Sequence, residues 1–175
     1  MAAAEAGVAA LLVFVAALLQ VTLFASFDLT AGAPDVLLVT VAAVALLRGP
    51  TVGAGAGFLG GLVADTAALG TLGLTSLVLT VIGYWLGRYG ETTGRDRAHA
   101  PLLGVFVATV LYAAGASALH FVLGDAVSAR VALGGALVWA LVLNTLAAVP
   151  IYALCRRLLA PVRPVERTRE ASLLG

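Results

Sequence analysis

Few residues of this chain could do chemistry, and most of them stand alone in apolar surroundings: the carboxylates Asp35 and Asp65, the amide of Gln20, the imidazole of His120 and the thiol of Cys155. A proton-transfer site would need a second carboxylate deep enough to pair with Asp65, and the sequence offers none. There is no HExxH motif, and neither a serine nor Cys155 has a histidine placed to activate it. All ten basic residues are arginine, so a P-loop lysine and a Schiff-base lysine are excluded. A single cysteine cannot form an internal disulfide, and Cys155 has no metal-ligating neighbours, which reduces it to a small buried apolar residue. Gly55, Gly57 and Gly60 fit G-x-G-x-x-G on paper, but a dinucleotide fingerprint follows a strand, and this segment instead continues as an apolar run. The expectation is a protein that is not an enzyme and carries no cofactor and no metal.

What remains after those exclusions is a packing pattern that ends in a carboxylate. In the stretch from Thr51 to Leu69, Gly53, Gly57, Gly61 and Asp65 recur at i, i+4, which on a helix makes one slowly winding stripe. With Gly60 beside them, these glycines would let a neighbouring backbone approach closely, the main packing device where lipid removes the hydrophobic drive. An ionised carboxylate alone in hydrocarbon costs ~2.5 to 3.5 kcal/mol on insertion scales, so Asp65 has to be paired, hydrated or protonated. Two readings follow. Either Asp65 faces the bundle near Gln20 or Arg130, or it caps the helix end where headgroups and water reach.

The elements that must position these residues are apolar helices. Hydrophobic residues make up 62% of the chain and charged residues 11%, with a mean hydropathy of +1.08, values of polytopic membrane proteins. Gly7 to Phe27 is long enough to span and too long for a secretory signal. A second helix, Pro34 to Leu47, places Pro34 at its first position and Asp35 in its first turn. That helix is short for a bilayer, so a tilted neighbourhood or local thinning is expected. Arg48, Gly49 and Pro50 make a tight turn into the glycine-rich third helix. Leu74 to Leu86, Pro101 to Leu123 and Val131 to about Leu154 supply three more, with a polar connector from Arg88 to Ala100. The predicted fold is therefore all-α, with six transmembrane helices in residues 1–160 and a polar tail in 161–175.

Six spans put both termini on one side. The loops and tail on that side hold every arginine except Arg130, so the positive-inside rule places both termini in the cytoplasm. Gln20, Asp35, Asp65, His120 and Arg130 then gather at the outer face as a polar cluster, a pocket for a ligand or a surface for a partner. Membrane lipids are expected along the arginine-rich inner rim.

The order of motifs resembles the family of rod shape-determining protein MreD. The likeness rests on Gln20 in a first helix and on Pro34 and Asp35 opening the second. It continues with the RGP turn at Arg48, Gly49 and Pro50, then Gly57, Phe58, Gly60, Gly61, Leu62 and Asp65 as GFxxGLxxD. Gly70, Gly73 and the pair Gly83 and Tyr84 complete it. The last two helices match only in length and hydropathy. The resemblance implies a non-enzymatic scaffold of the bacterial cell-elongation complex in the plasma membrane, with MreC as partner. Through MreC it implies the actin-like MreB and the elongation peptidoglycan synthases. The family is also similar in fold to substrate-binding subunits of energy-coupling-factor vitamin transporters, which supplies the alternative function. A homodimer is left open, and no nucleic-acid partner is expected.

Overall fold

The computed structural model describes residues 2–26, 34–68, 72–93, 100–124 and 135–159. Among them every regular element is an α-helix: α1 (Ala2–Ser26), α2 (Val36–Arg48), α3 (Pro50–Ala67), α4 (Leu74–Thr93), α5 (Ala100–Val122) and α6 (Gly135–Leu158). Asp125, Arg130, the connector 94–99 and the tail beyond 159 lie outside the described residues.

α2 is the centre. A helix that is apolar all the way round must be covered all the way round, and every residue of α2 from Leu37 to Leu46 is buried. α1, α3, α4, α5 and α6 all pack on it, and among themselves they touch in that same order, α1 on α3, α3 on α4, α4 on α5 and α5 on α6. The core is built of small and branched side chains such as Val13, Ala17, Leu38, Val41, Val44, Leu79 and Ala108, whereas Phe14, Phe58, Trp85, Phe106, Phe121 and Trp139 point outward. A water-soluble bundle reverses that arrangement. α1 shows it within one helix, burying Ala9, Val13, Ala16, Ala17 and Gln20 along one stripe while exposing Leu11, Phe14, Val15, Leu18 and Leu19. α5 and α6 are each long and apolar enough to cross a membrane, while the apolar stretches of α1 and α2 are shorter.

The short second helix is explained by its position. Its 13 residues reach about 20 Å, but both ends meet protein groups inside the bundle. Its start is also later than Pro34, since Asp35 is the N-cap and its carboxylate accepts the Leu38 N–H at 2.9 Å. A short acceptor side chain serves better just outside a helix than within its first turn, which moves the boundary to Val36. At the other end the Arg48 guanidinium donates to the Leu159 carbonyl at 2.7 Å. That contact ties the RGP turn to the end of α6 and places positive charge against a helix C-terminus.

Three further boundaries differ from the sequence expectation, the first being α1, which begins at Ala2 rather than Gly7. α4 does not stop near Leu86 but continues to Thr93, so the first part of the expected connector is helical. Arg88 and Glu91 face solvent there as an i, i+3 ion pair at 3.4 Å, a charge pattern as compatible with a helix surface as with a loop. α6 runs past Leu154 to Leu158 because Cys155 and Leu159 are still packed into the core.

Candidate functional site

The glycine stripe of α3 faces α4, and the two helices meet backbone to backbone in antiparallel register. A Cβ on Gly53 would collide with the Gly83 carbonyl, one on Gly57 with the Leu79 carbonyl, and one on Gly61 would lie 2.5 Å from the Ser76 nitrogen. The register extends at one end to Gly87, which lies against Gly49 and Pro50 of the RGP turn. Gly49 has φ +91°, a conformation that glycine adopts without strain. Gly60 looks the other way, and a Cβ there would meet Val13 of α1 and Leu37 of α2.

Asp65 is the last rung of that ladder. It is 5% exposed, and its carboxylate accepts the N–H groups of Gly73 at 2.9 Å, Thr75 at 3.2 Å and Ser76 at 3.2 Å. These are the orphan donors that open α4. Gly73, with φ +92°, precedes that helix and has no side chain with which to cap it, so the carboxylate of α3 caps its neighbour and places negative charge at a helix N-terminus. The Ser76 hydroxyl returns the contact by donating to the Phe58 carbonyl at 3.0 Å. Asp65 therefore does face the bundle, but its partners are amides of α4 rather than Gln20.

Gln20 caps a different helix. Its amide oxygen accepts the Val36 N–H at 2.7 Å, and the Asp35 N–H donates to Asn144 Oδ1 of α6 at 2.6 Å. Asn144 Nδ2 in turn donates to Thr109 Oγ1 of α5 at 3.1 Å, and that hydroxyl donates to the Val105 carbonyl at 2.9 Å. Side chains from α1 and α6, together with Asp35 itself, thus satisfy the start of the buried α2.

Beside this start lies a cleft of about 460 Å³, whose polar lining comes from Gln20 of α1, Asp35, Thr75 of α4 and Tyr112 of α5, with Leu37 and Leu79 buried beneath. Of the five polar residues expected to cluster, Gln20 and Asp35 share the cleft, whereas Asp65 caps α4. His120 sits in the last turn of α5, apart from the cleft lining, and Arg130 lies outside the described residues. Asn144, Thr109, Tyr112 and Thr75 were not singled out from the sequence. The signal for Asn144 was its isolation in an apolar helix, but nothing in the sequence paired it with Asp35. The described residues contain no group of His, Cys, Asp and Glu able to hold a metal ion.

The family model described as rod shape-determining protein MreD matches residues 4–161. Neither a curated protein nor a solved structure matches the chain. The matched span takes in the α3–α4 ladder, the capped start of α2, and also α5 and α6, which the motifs had left to length and hydropathy alone. By that coverage the chain belongs to the rod shape-determining protein MreD family, membrane-associated proteins with a role in rod shape determination.

Proposed function

We propose that the protein is a six-span scaffold of the bacterial cell-elongation complex, with both termini in the cytoplasm, that docks MreC within the plasma membrane. Through MreC it supports MreB and the elongation peptidoglycan synthases. The observation that carries this reading is where the buried polar groups go. Asp65, Gln20, Asn144 and Thr109 are all engaged with helix ends or with one another inside the bundle. Such groups fix helix positions and leave the outward face to apolar side chains from five helices, including Leu59, Val81, Phe106 and Leu146. That is the equipment of a rigid platform for other membrane segments, and the family is one of shape determination rather than of enzymes.

Native mass spectrometry of the complex extracted from membranes tests the reading. The scaffold is expected to carry MreC. Isolation with an ATPase module and without MreC would replace it with the second reading, a substrate-binding subunit of an energy-coupling-factor transporter. The cleft favours that second reading, since about 460 Å³ lies within the range of small-molecule sites.

A further inference from the structure

We propose that the cleft between α1, α2, α3, α4 and α5 binds a small cation that carries its own acceptor, an ammonium or guanidinium group beside an amide-type carbonyl. Three features of the wall point to that chemistry. Gln20 is only 6% exposed. Its carbonyl oxygen is used by Val36, and its amide nitrogen, in a side chain lining the cleft, has no partner among the described residues. Those donors border the cleft and can meet an acceptor on whatever fills it. Asp35 supplies the opposite requirement. Its carboxylate engages the first turn of α2, keeps further lone pairs, and has no ion-pair partner among the described residues. A carboxylate at the edge of an apolar cavity favours a cation more strongly than one in water does. Between the two, the hydroxyls of Tyr112 and Thr75 can donate or accept, and Leu37 and Leu79 suit an apolar stem.

The group could belong to a free molecule or to a basic side chain of a polypeptide that enters the cleft. The shared chemistry is tested first. The full chain in lipid nanodiscs, labelled with 3-fluorotyrosine, is titrated with Nα-acetylarginine amide and with its neutral isostere, Nα-acetylcitrulline amide. The Tyr112 signal is assigned by Tyr112→Phe. The arginine probe is expected to shift that signal saturably and the citrulline probe to leave it in place.

Asp35→Asn should weaken the arginine probe at least tenfold with the fold intact, because Asn caps a helix as well as Asp does; an unchanged melting temperature checks the fold. The proposal is overturned by equal shifts from both probes, by no shift, by an undiminished response in Asp35→Asn, or by binding that appears only after Arg130→Gln. A photoreactive residue at Ala68, on the cleft rim, then assigns the source in cells. A polypeptide adduct indicates a partner segment and a small adduct a free molecule, while no adduct overturns occupancy in the cell. Failure of the titration would leave the MreC result standing, so the two proposals fail separately.

Discussion

The α3–α4 seam and the α5–α6 seam are both helix contacts around the same central helix, yet they are held in opposite ways. Along α3–α4 the backbones touch, with Gly53, Gly57 and Gly61 set against Gly83, Leu79 and Ser76, and a carboxylate closes the row. Across α5–α6 a polar rung runs from Asn144 to Thr109, both buried. Shape holds the first seam, so any added atom is felt at once. The second carries a buried hydrogen bond that sets which residues face each other. The first is thus placed by close backbone contact and the second by the pairing of its polar groups.

Breaking the first seam should have the largest effect. In Gly57→Leu the new side chain has to displace the Leu79 backbone. Overpacking on that scale costs ~1 to 3 kcal/mol or more, and loss of the monodisperse species on size-exclusion chromatography in detergent is expected. A Gly57→Leu protein with wild-type elution and melting temperature would mean that the seam opens without cost.

Asp65→Ala comes next. It leaves the amides of Gly73, Thr75 and Ser76 without their acceptor, at about 1 to 3 kcal/mol for a buried unsatisfied group. Asp65→Asn keeps an acceptor and should lose less. Hydrogen exchange at the start of α4 locates the loss. Faster exchange spread evenly over the chain would contradict a local capping role.

Asn144→Leu probes the second seam but also takes the acceptor from the Asp35 N–H, so its cost is of the same order as that of Asp65→Ala, about 1 to 3 kcal/mol. Of this the bond to Thr109 contributes about 0.6 kcal/mol, the average for interhelical side-chain bonds in membranes. A double-mutant cycle with Thr109→Val, read by unfolding in mixed micelles, is expected to show coupling of that order, and strict additivity would remove the rung from the account. The smallest effect is expected at Gly55, which also lies on α3 but faces open space. Gly55→Ala should be neutral, or stabilising by roughly 0.5 to 1 kcal/mol through helix propensity. Destabilisation there would show that the outer face of α3 is already covered.

The glycine ladder was legible because close backbone approach has a sequence signature, a small residue every fourth position. The central place of α2 was half legible. Its unbroken apolar run and short length are both visible in the sequence, but a short apolar helix reads equally as a tilted span until the neighbours are known. The cleft was least legible. Gln20 and Asp35 could be matched by depth, but Thr75 and Tyr112 come from two other helices whose rotation about their own axes no linear pattern fixes.

By itself the sequence determined the helical class of the fold, the order and approximate place of the helices, the family motifs and the packing face of α3, because each depends on local composition or on a period of 3.6 residues. Only the tertiary structure decided what the polar residues do. Asp65 became the cap of α4 because Gly61 lets Ser76 come close enough for the carboxylate one turn later to reach that helix's first amides. Gln20 and Asn144 became caps of α2 because a buried helix start has no water to turn to and must take its acceptors from whichever helices surround it. Partners of this kind are set by which helices are neighbours, and that is fixed only when the bundle closes.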